Sequence, residues 1–569
     1  MIYPWLYLFI ALSSGVTINS FLNIHTPYTI PILVLSLTLF FRDLPSYILL
    51  VVSSFLIGLS VSYKDNLEID KKDVFVECIS TQIPTKYKNY QMFSCKVVGS
   101  EVPQLKGKSL EVRTDQKDIF LLSRVIFIGN VVSEDGRIKA FPRKGFIKVD
   151  NSSNYIFFIK EFKDSLIERY RYTALSEDTL YLGLGLIFGE RSSLGLDEYQ
   201  RLVKSGLAHI LAISGSHIAM LIIILNFSLF FLPIWLRYSF IAALLPLYAL
   251  FTGLSIPVVR ASLMGVVFSV SKIKYFKFNS LNVLFLIAYL YVLVFPESLF
   301  SVSFQLSFIA ALGIILGMEI FKDKSLVIIA FGTSWIATLF TIPVVMLHFG
   351  NVSLNSILST PIASIPLYPY LYLAFINVFT GFTLEPLVKL MDLFGVLFLQ
   401  TAYLFENLPF YYTGFNPSVV FINLFYITSV VFLLSDLRVS QKVFVVSLFA
   451  VVFAVFSKVE KKDFRVYSFK GKDYPVVVVV AKDRCYLITD FPVYKQLNVL
   501  GKEGCREKTL ITEKLERFPD DYTSTFDNTL PYIYEVRTKD FLLKKWVEYR
   551  VYKNSTEYRI KNQDALVDF

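Results

Sequence analysis

The most unusual stretch of this 569-residue chain places polar and small residues at the start of a long apolar run. Residues 206–220 read Gly-Leu-Ala-His-Ile-Leu-Ala-Ile-Ser-Gly-Ser-His-Ile-Ala-Met, which brings together His209, Ser214, Gly215 and His217. Polar and ionisable groups are costly at membrane depth, and they usually face a cavity or a transport pathway. The alternative is helix packing, with small residues allowing close contact and imidazoles bonded to backbone carbonyls. We favour a pathway.

The same cluster could supply nucleophilic catalysis, in which a histidine takes the proton of a serine hydroxyl. This chemistry needs a group that orients the histidine, and no acidic residue lies near Ser214 and His217 in the sequence. The chain also lacks the P-loop motif, which excludes nucleotide hydrolysis by that route. We therefore predict that the protein is not an enzyme, and an intramembrane Ser/His hydrolase stays as an alternative.

A second polar signal is Arg260, which lies about a turn and a half into another apolar segment. An arginine there can snorkel to the surface, pair inside the protein or contact an anion. Because its guanidinium stays protonated, it suits a phosphate contact. Gln305 is a weaker signal of the same kind, and taken alone it is typical of a helix-packing hydrogen bond.

The elements that hold these residues are predicted to cross a lipid bilayer. The chain is 54% hydrophobic and 18% charged, with 54 Phe and 34 Tyr, and this composition excludes a soluble globular enzyme and a disordered chain. A helical span needs ~20 apolar residues. About three such segments lie in residues 1–63, and about ten lie in residues 206–457.

Two stretches depart from this simple pattern. Pro361, Pro366 and Pro369 interrupt residues 352–379, which predicts that some segments are re-entrant. Residues 161–205 have helical spacing of apolar residues with charges on the opposite faces, which predicts amphipathic surface helices.

Two polar segments are added to the apolar body, and both are mildly basic. Residues 64–160 hold 17 Lys and Arg against 12 Asp and Glu, and residues 458–569 hold 22 against 18. In the first segment apolar and polar residues alternate in roughly five short runs, which predicts a small β-barrel or sandwich. The second is predicted to be a small soluble domain rich in strands.

Basic residues in the short loops predict the orientation of the spans, because Lys and Arg are enriched on the cytoplasmic side. With a cytoplasmic N-terminus, the cytoplasmic loops contain Arg42, Arg237, Lys272, Lys274, Lys277, Lys322, Lys324, Arg438 and Lys442. The alternate loops, at 23–29, 253–255, 297–301, 349–353 and 409–416, contain no Lys or Arg. Both polar segments are then extracytoplasmic.

All four cysteines lie in these two outer segments. Cys78 and Cys95 are predicted to face each other in a hairpin that turns near Lys86–Tyr87, at a separation suitable for a disulfide. Cys485 and Cys505 form the second candidate pair. Disulfides persist in oxidising compartments, so we prefer two disulfides to four unrelated buried thiols.

Five motifs occur in an order that resembles the ComEC-type competence proteins. They are Leu182–Arg191, Gly206–His217, Val259–Met264, Phe304–Ala310 and the run from Pro343 to His348-Phe-Gly350. The resemblance covers roughly residues 1–440, and the Ala-Ile-Ser-Gly-x-His core of the second motif is specific.

The resemblance implies an inner-membrane channel that passes single-stranded DNA into the cytoplasm during natural transformation. We predict that the pathway is lined or shaped by His209, Ser214, Gly215, His217, Arg260 and Gln305. The resemblance also implies that residues 64–160 are an OB-like barrel, and OB folds bind single strands through aromatic stacking and basic grooves. The aromatic candidates for that contact are Phe75, Tyr90, Phe93 and Phe127.

The expected fold class is a polytopic α-helical membrane protein with an extracytoplasmic OB-like β-barrel insertion and a small soluble β-rich C-terminal domain. Many family members carry a C-terminal metallo-β-lactamase-like domain, but residues 458–569 contain no His and resemble at most a remnant of it. We therefore expect no metal and no cofactor.

The expected partners are single-stranded DNA, the lipid bilayer, an extracytoplasmic DNA receptor, a separate nuclease and a cytoplasmic ATP-dependent motor. A homo-oligomer is left open. The remaining alternative function is a membrane transporter of another anionic polymer or lipid.

Overall fold

The computed structural model describes most of the chain up to residue 413 and mainly strands beyond it. The described residues are 4–22, 44–61, 69–86, 90–116, 118–134, 137–152, 154–174, 176–190, 196–211, 213–321, 324–413, 417, 422, 425–426, 428–429 and 441, and the strands between 464 and 568 that are given below. The chain divides into two compact units. The first is Met1–Gly195, Leu207–Ile315 and Ile362–Ala402, and the second is Leu196–Gly206, Leu316–Pro361 and Tyr403–Phe569.

Helices account for most of the described residues outside two strand-rich regions. They are α1 Pro4–Leu22, α2 Leu44–Val61, α3 Phe157–Thr173, α4 Glu177–Leu186, α5 Leu196–Lys204, α6 Gly215–Ser228, α7 Ile234–Phe251, α8 Ile256–Lys274, α9 Ser280–Val294, α10 Val302–Gly317, α11 Leu326–Phe349, α12 Ser356–Thr380 and α13 Glu385–Glu406. Among the described residues, α7, α8, α11, α12 and α13 are long and apolar enough to cross a membrane. Shorter apolar helices include α6, α9 and α10. The described part of the chain is therefore largely helical, with five helices suited by length and composition to crossing a membrane.

Two of the about three segments predicted in residues 1–63 correspond to α1 and α2, and residues 23–43 between them lie outside the described residues. α1 and α2 pack closely, because a Cβ at Gly15 or at Gly58 would collide with the backbone of the other helix. Asn19 Nδ2 donates to the carbonyl of Leu59 at 2.8 Å and joins the same two helices.

The predicted break at the three prolines is wrong. α12 is one continuous helix from Ser356 to Thr380 and contains Pro361, Pro366 and Pro369. Prolines are tolerated in membrane helices when neighbouring groups satisfy the freed backbone atoms.

Six strands of the first unit form one sheet within the predicted segment 64–160, and five of them close into a barrel. They are β1 Asp70–Ser80, β2 Thr85–Lys86, β3 Gln91–Ser100, β4 Ser109–Thr114, β5 Arg124–Glu134 and β6 Arg137–Asp150. The sheet order is β1-β5-β6-β4-β3-β2, and a further pairing of β1 with β3 closes five strands into a barrel. β4 and β6 are parallel, and the other pairs are antiparallel. Alternate side chains fill the interior, as their burial shows.

The predicted disulfide between Cys78 and Cys95 is confirmed, with 5.7 Å between the Cα atoms. The cysteines are not directly opposite, because Cys95 pairs with Ser80 and Cys78 with Val97 across the β1–β3 ladder. Both cysteines are fully buried in the barrel core. The second predicted pair falls partly outside the described residues, at Cys505.

α3 has the amphipathic pattern predicted for residues 161–205, whereas α4 does not. α3 buries Ile159, Leu166 and Tyr170 on one face. α4, by contrast, buries every residue from Leu182 to Leu186. Gly183 lets the side chain of Tyr170 approach the backbone, so this helix belongs to the interior.

The second unit includes α5, α11, a short strand ladder and the C-terminal strands. The ladder pairs β7 Asn351–Ser353 with β8 Tyr411–Thr413. The later strands are β9 Phe464–Phe469, β10 Val476–Ala481, β11 Arg484–Ile488, β12 Glu507–Ile511, β13 Thr523–Ser524, β14 Tyr534–Arg537, β15 Leu542–Lys545, β16 Tyr549–Lys553, β17 Thr556–Ile560 and β18 Ala565–Asp568. They form a mixed sheet of order β13-β12-β11-β10-β9-β18 and an antiparallel sheet β14-β15-β16-β17.

Candidate functional site

Ser214 and His217 form a hydrogen-bonded cap at the N-terminus of α6. The backbone N–H of Ser214 donates to His217 Nδ1 at 3.1 Å, and Ser214 Oγ lies 2.9 Å from the same nitrogen. Ser214 Oγ also lies 2.7 Å from Ser216 Oγ. Because Nδ1 accepts the backbone N–H, a neutral ring carries its proton on Nε2. His217 is 1% exposed, and Nε2 has no hydrogen-bond partner among the described residues.

Arg260 approaches this cap from α8. Its Nη2 lies 3.1 Å from the position that a Cβ atom would occupy at Gly215, the first residue of α6. The side chain is buried, and its guanidinium carbon lies 5.8 Å from the ring centroid of Phe308 in α10. Within the described ranges, Nε has no hydrogen-bond partner and no carboxylate forms an ion pair with Arg260.

The packing of three helices fixes this arrangement. α6, α7 and α8 share one hydrophobic core, which includes Leu221, Leu245 and Val258. α7 and α8 are joined by the short loop 252–255, so they run antiparallel. Gly215 and Arg260 consequently lie at one end of this group of three helices, and Arg237 and Lys272 lie at the other end.

Glycines of the Leu182–Arg191 motif make room for neighbours in the same unit. A Cβ at Gly183 would collide with the ring and hydroxyl of Tyr170, which is fully buried and donates to the carbonyl of Thr179 at 2.9 Å. Gly189 has a φ of 75°, and a Cβ there would collide with the carbonyl oxygen of Thr252. The motif therefore has a packing role next to the loop that precedes α8.

Two predicted pathway residues have other surroundings. His209 is exposed in the turn that precedes α6. Gln305 Nε2 donates to the carbonyl of Leu299 at 3.1 Å, which is a local contact at the start of α10. The structure thus brings Arg260 to Gly215, next to the cap that Ser214 and His217 form.

The aromatic candidates of the barrel need correction. Phe93 and Phe127 are 2% and 1% exposed and lie in the barrel core, so neither ring can stack on a base. Phe75 is half-buried on β1. Tyr90 is half-buried as well, and the guanidinium of Arg113 covers its ring at 3.7 Å from the centroid.

The sequence interpretation missed Asn355 in the second unit. Its side chain is fully buried, and Nδ2 donates to the carbonyls of Lys204 and Phe405 at 2.9 and 3.1 Å. Ser359 Oγ donates to the carbonyl of Ser205 at 2.7 Å in the same region. These bonds hold the end of α5 against the start of α12. The sequence signal that could have identified this residue is an Asn immediately before the helix that contains three prolines.

The groups around Gly215 are of types that attract an anion. Arg260 supplies a permanent positive charge, His217 supplies an N–H donor when its ring is neutral, and a helix N-terminus adds partial positive charge. No group of three or more His, Cys, Asp or Glu residues with the geometry of a metal site occurs in the part of the chain that the structure describes.

Comparison with known proteins identifies the region that contains this site. A family model described as competence protein matches residues 186–439. The chain is 29% identical over 269 residues to an uncharacterized protein of Aquifex aeolicus (strain VF5), covering 46% of this chain and 61% of that protein. It is 30% identical over 216 residues to ComE operon protein 3 of Bacillus subtilis (strain 168), covering 36% of this chain and 26% of that protein.

The chain thus spans less than two thirds of either relative. No solved structure matches it. The matched region includes four of the five motifs entirely and most of Leu182–Arg191. Residues 186–439 therefore match the competence-protein family, which confirms the resemblance of the motifs to ComEC-type proteins.

Proposed function

We propose that this protein is the channel through which single-stranded DNA crosses the cytoplasmic membrane during natural transformation. The carrying observation is Arg260, a buried cation without a carboxylate partner in the described ranges, placed against the N-terminus of α6 inside a competence domain. A phosphate at this point meets a guanidinium that stays protonated and the positive end of a helix. The match to the competence-protein family supports a role in DNA uptake.

The proposed topology has the N-terminus in the cytoplasm and residues 64–160 and 458–569 outside it. Its support is the basic residues at one end of the helix bundle, with Arg237 in the first turn of α7 and Lys272 and Lys274 in the last turn of α8. In this orientation the Gly215–Arg260 contact lies at the outer end of the helices, where incoming DNA would enter.

The outer barrel is proposed to be OB-like and to guide DNA to the helices. In support, its closed order β1-β3-β4-β6-β5, with one parallel pair, matches a five-stranded Greek-key barrel of the OB type. Its interior aromatics serve the core, so the contact with DNA must use outward side chains.

We propose no catalytic chemistry for the chain. The driving force would come from a cytoplasmic ATP-dependent motor, and removal of the second strand would need a separate nuclease. An extracytoplasmic receptor would deliver the DNA. The proposal accommodates either a monomeric or a self-associated channel.

The test is deletion of the gene in a naturally transformable host, followed by the fate of labelled DNA. We expect normal surface-bound label, loss of nuclease-protected internal label, and recovery when the wild-type gene is restored. Unchanged internal label would overturn the proposal and favour transport of another anionic polymer or lipid.

A hydrolase is the second candidate, because Ser214 Oγ lies within hydrogen-bond distance of His217 Nδ1. The same Nδ1 accepts the backbone N–H of Ser214, which is the bond of a helix cap. A serine-reactive phosphonate probe separates the two roles. Labelling of the wild type but not of Ser214→Ala would support the hydrolase, and no labelling of either would support the cap.

A further inference from the structure

Strand β6 of the barrel is rich in basic residues and exposes two aromatic rings. Of its residues Arg137–Asp150, five are Lys or Arg and one is acidic. Phe141 and Phe146 are 38% and 57% exposed. Ala140 is buried opposite buried Val131 of β5, so the alternation of side chains directs the residues on either side of Ala140 outward.

The strand leaves its ladder in the middle and forms a bulge. Pro142 pairs with Gly129 and Ile147 with Phe127, so the four residues 143–146 stand opposite one residue of β5. We call residues 143–146 the β6 bulge. Gly145 has a φ of 80°, where glycine is favoured, and a Cβ there would meet no atom within 4 Å. The bulge therefore reaches into open space.

An ion pair fixes the position of the bulge. Arg143 Nε lies 2.9 Å from Asp73 Oδ1. Asp73 has a φ of 56° and lies in a bulge of β1. The acidic residue of β6, Asp150, accepts hydrogen bonds from Oγ and N of Ser152 at 2.7 and 2.9 Å. The strand itself keeps four more basic than acidic residues, which complements a polyanion.

We propose that the outer face of β6 binds single-stranded DNA, with Phe141 and Phe146 stacking on bases and Lys139 and Lys148 following the phosphates. This inference rests on the proposed function. Stacking on aromatic rings accepts every base, and a row of cations tracks the backbone, so the combination suits a strand of any sequence.

The position of this surface differs from the one that OB folds usually employ. Oligonucleotides generally lie on the second and third strands of the barrel, which are β3 and β4 here. On that side Arg113 covers the ring of Tyr90. On β6 the two phenylalanines are exposed, and so the observations favour β6 over the β3–β4 face.

The test measures binding of fluorescein-labelled oligo(dT) to the full-length protein in nanodiscs by anisotropy over a range of salt concentrations. We expect Phe141→Ala with Phe146→Ala to weaken binding at least about tenfold. Lys139→Gln with Lys148→Gln should lower the slope of log K against log salt by about 1.4, because each phosphate contact contributes about 0.7. All four positions lie at the barrel surface, and an intact Cys78–Cys95 disulfide will show that each variant folds.

Two controls complete the design. Phe158→Ala removes a phenylalanine that is 62% exposed on α3, and we expect it to leave binding unchanged. Tyr90→Ala with Lys96→Gln changes the β3–β4 face. A loss of affinity caused by this pair, with normal binding by the β6 variants, would overturn the inference.

Other outcomes also decide. The inference is overturned if the wild type does not bind oligo(dT). It is also overturned if the β6 variants keep their affinity for oligo(dT) and lose only their binding to phosphatidylglycerol vesicles, which is measured in parallel. Uptake of labelled DNA in the host is scored independently. If uptake depends on the gene while the β6 variants bind normally, the inference fails and the proposed function stands.

Discussion

Nη2 of Arg260 lies 3.1 Å from the place of a Cβ atom at Gly215, so any side chain at residue 215 would push the guanidinium aside by a few tenths of an ångström. The contact joins the first residue of α6 to the second turn of α8. The glycine of the Ser-Gly-Ser-His motif is therefore a partner of the arginine, and the two positions should act as one site.

Substitution at this contact should reduce DNA uptake without reducing the amount of protein in the membrane. A charge-assisted hydrogen bond contributes about 1.5–3 kcal/mol, so Arg260→Gln should lower nuclease-protected internal label roughly tenfold or more. Gly215→Ala should produce a smaller loss, since it displaces the charge without removing it. Labelled DNA uptake and immunoblots of membranes measure the two quantities.

Gly185→Ala is the matched control for the glycine substitution. A Cβ at residue 185 would meet Leu211 O at 3.7 Å, an ordinary contact, so uptake should stay at the wild-type level. Normal uptake by Arg260→Gln would remove this arginine from the pathway.

Gly183→Ala should destabilise the protein in a way that Gly185→Ala does not. The new methyl group would overlap Tyr170, whose buried hydroxyl is already bonded to Thr179. Overpacking of a core typically costs about 1–3 kcal/mol of folding free energy. The thermal unfolding midpoint in detergent should fall for Gly183→Ala, and equal midpoints for the two variants would contradict the packing role.

Loss of the Cys78–Cys95 bond should destabilise the barrel by about 3 kcal/mol, as expected for a loop of roughly 15 residues. The two cysteines are 17 residues apart. The double change to serine should lower the unfolding midpoint, and a reductant should lower the wild-type midpoint but leave the variant unchanged. A reductant effect of equal size on both proteins would show that another bond is responsible.

Asn355→Ala should weaken the second unit. The change removes two hydrogen bonds, to the carbonyls of Lys204 and Phe405, although these carbonyls keep Ser353 Oγ and Leu408 N as donors. A typical intramolecular hydrogen bond contributes about 0.5–1.5 kcal/mol, so the expected loss is on the order of 1–3 kcal/mol. Ser359→Ala, which removes one hydroxyl donor, is the milder comparison. Limited proteolysis of membranes should cleave Asn355→Ala faster than Ser359→Ala, and the reverse order would contradict the role of the amide.

The barrel shows where sequence patterns stop being informative. Alternation predicted the strands, but each bulge moves the following side chains to the other face. The register shifts at Glu77/Cys78 and at Phe127/Gly129, and neither shift has a clear sequence signal. Cys78 and Cys95 were correctly paired but misplaced in register by two residues, and the stacking candidates Phe93 and Phe127 lie in the core.

For the helical site, the sequence predicted the residues but not the contact between them. Ser214, His217 and Arg260 stand out in the sequence because polar groups are rare in apolar segments. Their contact across Gly215 depends on how α6 and α8 pack, which the spacing within either helix does not determine. The buried position of α4 was unpredictable for the same reason, since it depends on Tyr170 from another helix entering the space that Gly183 leaves.

The parallel pairing of β4 with β6 also sets an order of events during synthesis. Leu110 pairs with Ile138 and Val112 with Ala140, so the barrel cannot close until the chain has been made past β6. The β1–β3 hairpin involves only local contacts and can form earlier, together with its disulfide. Contacts between distant parts of a chain slow folding. Closure of the barrel is therefore the late step, and the covalent link is available to hold the first strands until β6 arrives.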